Sequence, residues 1–293
     1  MMKIGMVGIG MMGQGIATNI VKHAYPMVLL EHPGNQPLQD LVAAGATTTP
    51  SAAALAAAVD VVILCVTGSP ELEDVLYREG GLLEGLKPGA IVIDCSTAIP
   101  SSTLKVAASV ERAGGRFLDA PMTRTPKEAA DGRLNLIVGG SSDLFEICRP
   151  LFECFAENMT LAGPVGSGHR LKLLHNFVSL GFSAVLAEAA ACADRSGIDP
   201  HVLVEILEKG GGDGVILKRL SPYILSRDGA GFRFSIANAL KDMGYYTTMA
   251  QEAGAALAMA EAARQTYAAA LKNGPDATVP ELVTILSARD RGH

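Results

Sequence analysis

The sequence contains no tryptophan, and aromatic residues make up only 5% of the chain. Proteins that bind single-stranded nucleic acid commonly stack its bases on such side chains. The chain also has no run of lysine or arginine, and its formal net charge is −6. The composition therefore argues against a nucleic-acid partner and against binding to an anionic membrane surface.

Cysteines are few, odd in number and scattered. The five are Cys65, Cys95, Cys148, Cys154 and Cys192. No CxxC pair or Cys/His cluster has the spacing of a zinc site, so we expect no metal. We therefore expect the five cysteines to be small core residues of a protein in a reducing compartment.

The chain lacks an apolar run that we expect to cross a bilayer. The longest uncharged part of its most hydrophobic stretch, 173–187, contains His175, Asn176 and serines. That run is too short and too polar for a membrane span. The N-terminal sequence MMKIGMVGIGMMGQG has a lysine before apolar residues, but its glycine spacing and missing cleavage signature indicate a first strand. We therefore expect a cytoplasmic protein that does not bind a membrane.

Hydrophobic residues make up 49% of the 293 residues, enough for one large or two ordinary domains. Short apolar runs alternate with helical patterns as far as residue 163. This alternation predicts an α/β domain with a doubly wound parallel sheet covered by helices on both faces. The predicted strands lie at 3–8, 27–31, 46–48, 60–66, 90–94, 116–119, 134–138 and 159–161.

After Gly163 the pattern contains helices alone. They are predicted at 163–197, 200–209, 215–226, 236–254, 256–272 and 279–289. We therefore predict two domains, a doubly wound domain over 1–164 and an all-helical domain over 165–293. An apolar, alanine-rich helical domain also favours a homodimer or homotetramer.

A glycine motif follows the first predicted strand and opens the first predicted helix. It reads Gly8-Ile9-Gly10-Met11-Met12-Gly13. In this position GxGxxG is typical of a Rossmann dinucleotide site, in which glycines allow the tight turn and the backbone's approach to a pyrophosphate. A helix N-terminus then faces the phosphates.

Polar residues follow other predicted strands. Glu31 ends the second strand, where an acid accepts the ribose hydroxyls of NAD and repels the phosphate of NADP, so we expect NAD rather than NADP. Val66, Thr67 and Thr97 close the fourth and fifth strands, where ligands of such sheets lie. Glu31 as a solvated strand end and Thr97 as a turn residue are the alternatives.

The stretch 163–197 connects the two predicted domains. It is apolar nearly all round, which predicts a buried helix. Lys172 and Asn176 are four residues apart and so share one face of it. A lysine between Leu171 and Leu173 either extends its ammonium group to water or has a chemical task.

Two further stretches decide between those readings: 119–134, with DAPMTRTP, EA and GRL, and 166–176, with GSGHRLK and Asn176. Together with the glycine motif they resemble the β-hydroxyacid dehydrogenases, which include 3-hydroxyisobutyrate dehydrogenase, over essentially the whole chain. The resemblance implies a Rossmann-like NAD-binding domain and an all-α domain joined by a long interdomain helix. It also implies that Lys172 is the acid/base and that Asn176 holds the substrate.

The resemblance further implies that Thr123 replaces a substrate-binding serine and that Lys241 lies near the nicotinamide or the substrate. The chain departs from the family in three places. Arg124 and Thr125 replace glycines and are similar to the sulfolactaldehyde reductase branch, which suggests that both contact the substrate. His175 replaces an asparagine, and Val66-Thr67 replaces Leu-Pro. The alternative for Arg124 is a solvent-facing side chain that pairs with Glu128.

The sequence thus predicts an NAD-dependent oxidoreductase for a small hydroxyacid or semialdehyde with an anionic tail. Sulfolactaldehyde, succinic semialdehyde and tartronate semialdehyde are the candidate substrates. An imine reductase and a non-catalytic nucleotide-sensing relative are the alternatives, and Lys172 and Glu31 weigh against the first of them.

Overall fold

The computed structural model describes residues 1–288. The chain separates into two compact units, Met1–Lys172 and the part from Leu173 onward. This division falls inside a helix that begins at Ser167. The domain boundary between 164 and 165 stays a prediction.

The first unit contains a nine-stranded sheet. Its strands are β1 (Ile4–Val7), β2 (Met27–Leu30), β3 (Thr47–Thr49), β4 (Val61–Leu64), β5 (Ile91–Asp94), β6 (Arg116–Asp119), β7 (Met122–Thr123), β8 (Leu134–Gly139) and β9 (Ala156–Gly163). The first six run parallel in the order β3-β2-β1-β4-β5-β6. The direction of winding reverses between β1 and β4, and ligands of such sheets bind beyond the carboxyl ends of the strands there. The predicted doubly wound parallel sheet is confirmed.

The far edge of the sheet is mixed. β8 runs antiparallel to β6 and β7 and parallel to β9. The sequence did not predict β7, because two residues between prolines 121 and 126 are too few for a periodic pattern. This short strand carries Thr123 and ends directly before Arg124 and Thr125.

Alternating side chains fill two separate cores. In β4, Val61 and Ile63 belong to one core, and Val62 and Leu64 to the other. All four are fully buried. A strand buried on both faces reads as an unbroken apolar run, and this is why DVVILCV predicts it well.

Helices cover both faces of the sheet. They are α1 (Met11–Lys22), α2 (Gln39–Ala43), α3 (Ala52–Ala58), α4 (Ser69–Tyr77), α5 (Leu82–Gly85), α6 (Pro100–Arg112), α7 (Pro126–Ala130), α8 (Ser142–Phe152) and the start of α9 (Ser167–Arg195). Gly68 is the N-cap of α4, and the Ser69 hydroxyl accepts a hydrogen bond from the amide of Ile99 at 2.9 Å.

The second unit is helical, as predicted. It contains the remainder of α9, α10 (Pro200–Glu208), α11 (Val215–Ser226), α12 (Ile236–Glu252), α13 (Ala258–Asn273), a 3₁₀ turn (Val279–Glu281) and α14 (Leu282–Ser287). Tyr267 lies in its core and donates a hydrogen bond to the Leu180 carbonyl at 2.8 Å. The predicted last helix begins as the 3₁₀ turn, and its predicted final residue, Arg289, lies outside the described residues.

Helix α9 is not buried on every side, which corrects the prediction. Val178 and Val185 are 68% and 56% exposed. With 29 residues and a mean hydropathy of 1.4 over its most apolar 18 residues, α9 is long and apolar enough to cross a membrane, although half of that window is buried in the fold. A core helix of a soluble protein meets the same criterion, so α9 is weak evidence for a membrane span.

The cysteines are mostly small interior residues. Burial raises the pKa of Cys65 and of Cys148 to about 12, so neither is a reactive thiolate at neutral pH. Cys192 is the exception to the expectation, because it is exposed.

Candidate active site

The glycines after β1 permit contacts that no other residue would allow. Gly8 has a φ of +86°, and a Cβ there would lie 2.3 Å from the Cys65 carbonyl oxygen. A Cβ on Gly13 would lie 2.0 Å from the Gly8 carbonyl oxygen. A Cβ on Gly10 would meet no atom within 4 Å. The loop is therefore closely packed at Gly8 and Gly13 and open at Gly10, as a backbone that receives a ligand should be.

The start of α1 fits a diphosphate. Gly10 is its N-cap and supplies no side-chain hydrogen bond, and the first turn contains no acidic residue. The first amides, including those of Met11, Met12 and Gly13, have no partner within the helix ladder. Such a helix end attracts anions, so these residues could hold the pyrophosphate of NAD.

Asn35 fixes the glycine loop and was missed in the sequence. Its Oδ1 accepts the Ile9 amide at 3.1 Å, and its Nδ2 donates to the Leu30 carbonyl at 2.9 Å. The amide of Ile9, which we predicted to bind cofactor, is thus used within the fold. The signal was the polar loop HPGNQP after β2, which Asx-type residues often organise.

Glu31 lies one residue beyond the end of β2 and is exposed. The Thr48 hydroxyl donates to its Oε1 at 2.6 Å, and its own amide donates to the Thr49 carbonyl at 2.9 Å. The carboxylate is therefore held in place at the edge where the ribose of a dinucleotide binds. This supports Glu31 as a ribose ligand over an unconstrained surface acid.

The ends of β4 and β5 are joined by a serine. The Ser96 hydroxyl accepts the Val66 amide at 3.0 Å, and the Ser96 amide donates to Asp94 Oδ1 at 2.9 Å. Thr67 follows Val66, and Thr97, which is partly buried, follows Ser96. The predicted residues Val66, Thr67 and Thr97 therefore lie on connected segments at the carboxyl edge of the sheet.

Lys172 reaches back to the short strand β7. It lies on α9 and is partly buried, and its Nζ donates to the Met122 carbonyl at 2.6 Å. The residue after Met122 is Thr123. The structure thus brings the predicted acid/base to the backbone beside the predicted hydroxyl donor.

Thr123 is oriented by an asparagine that the sequence did not reveal. Its Oγ1 accepts from Asn135 Nδ2 at 3.1 Å, and Asn135 Oδ1 accepts from Asn158 Nδ2 at 2.9 Å. Because Asn135 uses a lone pair of the hydroxyl, the hydroxyl proton is left for a donated bond. Asn135 alternates with buried apolar residues in β8, and that alternation was the available signal.

Arg124 and Thr125 make contacts within the chain. The Arg124 guanidinium contacts a carboxylate oxygen of Glu157 and the carbonyl of Arg133, so the structure offers a different acidic partner from the Glu128 we considered. Thr125 caps α7 in a reciprocal arrangement with Glu128: its hydroxyl donates at 2.5 Å and its amide at 3.0 Å. A capping role explains Thr125 without a substrate contact.

The backbone at Arg124 is unusual. Its φ is +84°, a region that glycine adopts readily and arginine rarely does. The glycine that Arg124 replaces in the family pattern would adopt this φ without strain. Such strain is often found at functional positions.

In the second unit, Asn176 is buried and donates to Asp242 Oδ2 at 2.7 Å. Its Oδ1 lies 3.0 Å from Nδ1 of His175. Lys241 Nζ lies 3.3 Å from Asp242 Oδ1, close enough for an ion pair but not oriented as a hydrogen bond. Asp242 thus fixes the amide of Asn176 and contacts Lys241, which links two predicted site residues through one that was not predicted.

Comparisons with known proteins agree with this geometry. The family model for the NAD binding domain of 6-phosphogluconate dehydrogenase matches residues 3–163. The model for the NAD-binding domain of NADP-dependent 3-hydroxyisobutyrate dehydrogenase matches residues 166–285. The chain is 33% identical to the NAD-dependent L-serine dehydrogenase of Pseudomonas aeruginosa over 94% of each chain.

The chain belongs to the β-hydroxyacid dehydrogenase family.

Two further relatives illustrate the breadth of this family. This dehydrogenase is 29% identical to the 3-sulfolactaldehyde reductase of Escherichia coli over 94% of its own chain and 92% of the relative's. Its structure is similar to that of 3-hydroxyisobutyrate dehydrogenase from Mycobacterium tuberculosis, solved with L-serine, with a TM-score of 0.88, 25% identity and coverage of 98% and 100%. The family establishes an NAD(P)-dependent oxidoreductase that acts on CH–OH groups, and NAD as the cofactor class.

We predict that Glu31→Ala will narrow the preference of this dehydrogenase for NADH over NADPH. Loss of the carboxylate removes repulsion from the 2′-phosphate, and we expect the ratio of the two kcat/KM values to fall about 10-fold. Steady-state kinetics with both cofactors measure this ratio. Thr48→Val should shift it in the same direction by less, and Glu146→Ala, on the surface of α8, should leave it unchanged. Equal use of both cofactors by the wild type would contradict this role of Glu31.

Proposed function

We propose that this dehydrogenase interconverts a small β-hydroxyacid that carries an anionic tail and its semialdehyde, with NAD as cofactor. The observation that supports this most directly is the bond from Lys172 Nζ to the Met122 carbonyl. It holds an ammonium group against the backbone of the residue that precedes Thr123, at the carboxyl edge of an NAD-binding sheet. This combination suits proton transfer to a reacting oxygen.

The glycine loop and Glu31 would hold the cofactor. When bound, NADH supplies the hydride that reduces the carbonyl carbon. The open side at Gly10 and the uncapped start of α1 suit its diphosphate, while Glu31, fixed by Thr48, suits its ribose. Val66, Thr67 and Thr97 complete this edge, and Lys241 is proposed to approach the cofactor or the substrate.

Lys172 is proposed as the acid/base. During reduction it gives a proton from Nζ to the nascent alkoxide oxygen, and during oxidation it takes the proton from the hydroxyl. The bond to the Met122 carbonyl limits where Nζ lies before substrate arrives. Thr123 donates its hydroxyl proton to the same oxygen, since Asn135 already occupies one lone pair of Oγ1.

Asn176 is proposed to hold the substrate. It stands one helical turn after Lys172, so both side chains share a face of α9. Asp242 accepts one amide proton of Asn176 and fixes the plane of the amide. The second N–H of Nδ2 is the donor proposed for the substrate.

We propose that the anionic tail of the substrate displaces the Glu157 carboxylate from the Arg124 guanidinium. A guanidinium offers paired donors to a carboxylate or sulfonate. Glu157 already occupies it, so an anionic tail has a preformed site to compete for. Sulfolactaldehyde is the first candidate, in keeping with the named E. coli relative, and succinic and tartronate semialdehyde follow. Thr125 would act through the α7 cap that follows Arg124.

A homo-oligomer in the cytoplasm is part of the same proposal. Val178 and Val185 are seven residues apart on α9, so they lie on one face, and both are more than half exposed. An apolar strip of this kind suits contact with a second copy of the chain.

We predict that Lys172→Ala will lower kcat by about 100-fold or more, the scale of a positioned acid/base. Binding of NADH should stay nearly unchanged, because the loss falls on a transition-state interaction. Stopped-flow turnover and fluorescence titration with NADH measure the two quantities. Lys209→Ala, which removes an exposed lysine, is the control. Wild-type turnover by the Lys172 variant would show that Lys172 is a structural lysine.

The same assay separates the alternatives. NADPH-dependent reduction of a cyclic imine would identify an imine reductase. Binding of NADH without turnover of any semialdehyde or imine would favour a nucleotide-sensing relative.

We predict that Arg124→Ala will reduce kcat/KM for an anionic semialdehyde. The corresponding loss of transition-state binding free energy should be about 2–4 kcal/mol, the scale of a lost charge partner. The loss for an uncharged aldehyde of equal size should be far smaller. Arg124→Lys should also weaken binding of the anionic substrate, because a point charge cannot replace the paired donors of the guanidinium. Glu157→Gln should have the opposite effect and lower the KM for the anionic substrate, since it removes the competing carboxylate. Equal losses on charged and neutral aldehydes would show that Arg124 supports the fold instead.

A further inference from the structure

Three ionisable side chains meet inside the first unit, and none of them is among the predicted site residues. Asp94 ends β5, Asp119 ends β6, and His169 lies in the first turn of α9. All three are fully buried. His169 Nε2 is 3.8 Å from Asp94 Oδ2, and Nδ1 is 3.7 Å from Asp119 Oδ2. In residues 1–288 no group of His, Cys, Asp and Glu has the arrangement of a metal site.

Asp119 caps the helix that carries Lys172. Its Oδ1 accepts the Gly166 amide at 2.7 Å, and its Oδ2 accepts the His169 amide at 2.8 Å. Both oxygens accept from N–H groups at a helix N-terminus, a position that suits a carboxylate. A buried negative charge is costly unless a positive charge lies nearby.

The contacts of the His169 ring indicate where that positive charge lies. Nε2 is 3.1 Å from the Ser96 carbonyl, which can only accept, so Nε2 carries a proton. Nδ1 is 2.8 Å from Thr103 Oγ1, whose own proton has an acceptor in the Ile99 carbonyl at 3.2 Å. With its proton directed to the Ile99 carbonyl, the Thr103 hydroxyl offers a lone pair to Nδ1, so the surroundings of the ring accommodate a proton on both nitrogens.

Asp94 is the other group that could hold the proton. Burial raises its pKa, and the neighbouring His169 acts in the opposite direction. A proton on Asp94 Oδ2, however, would have no acceptor, because this oxygen has no hydrogen-bond partner among the described residues. The nearby thiols of Cys65 and Cys95 are neutral, since burial raises the pKa of each. Hydrogen bonding therefore favours the proton on His169.

We propose that His169 is a buried imidazolium held between Asp94 and Asp119, and that it positions the start of α9, and with it Lys172, against the cofactor-binding edge. The ring bonds Ser96, beside the predicted cofactor residue Thr97, and Lys172 follows three residues later on the same side of the helix. His169 is a positioning residue that does not touch substrate. Its effect on turnover rests on the proposed role of Lys172, whereas its charge does not.

The charge is tested on the wild-type protein by ¹⁵N NMR of the histidine side chains. There are six histidines, and the signals that disappear in His169→Gln are those of His169, with His201→Gln as a matched control. Both ring nitrogens of His169 should carry a proton near neutral pH. In Asp94→Asn, the signal of a doubly protonated His169 ring at neutral pH should weaken, because a neighbouring negative charge is gone. One unprotonated ring nitrogen near neutral pH in wild type would overturn the proposal.

The positioning role is tested by kinetics of the same variants. His169→Gln keeps a donor but loses the charge, and its kcat should fall by up to about 100-fold, the scale of a slight misplacement of a reacting group. The dissociation constant of NADH should stay within about 3-fold, and His201→Gln should match wild type in both. Equal kcat for His169→Gln and wild type, or an equal loss of NADH binding, would overturn the positioning role. If wild type reduces no aldehyde, the proposed function fails while the NMR result still decides the charge of His169.

Discussion

The carboxylate of Asp119 is the constraint on which the site depends. It ends β6, and its two oxygens accept the amides of Gly166 and His169, so one buried charge joins the sheet to the start of α9. A charge taken out of water must be fully hydrogen-bonded, which fixes both segments closely. Lys172 then reaches the Met122 carbonyl, next to Thr123. The start of the helix that carries Lys172 is thus bonded to a residue fifty positions before His169 in the chain.

Those parts of the fold that are encoded locally could be predicted from the sequence. Because β4 is buried on both faces, its sequence is an unbroken apolar run. The GxGxxG motif reflects close backbone contacts at Gly8 and Gly13 that leave no room for a side chain. Each of these signals comes from residues that lie close together in the chain. They were sufficient to predict the six parallel strands and, together with the resemblance, the family.

The residues that hold the site in place could not be predicted in this way. Asn35, Asn135 and His169 make bonds to partners far along the chain, and a lone polar residue gives no indication of its partner. Arg124 illustrates the same limit: its type suggested an anion ligand, and the structure pairs it with Glu157. Exposed apolar residues on α9 likewise follow from packing and not from the composition of the helix.

The most direct measurement of this account is the turnover of Asp119→Asn with NADH and an anionic semialdehyde. The amide group would place N–H donors against the amide of Gly166 or of His169, so α9 would lose its cap and Lys172 its position. We expect kcat to fall by about 100-fold, with NADH still bound and the protein still folded. Wild-type kcat in this variant would show that the Asp119 carboxylate does not set the position of Lys172, and would contradict the account.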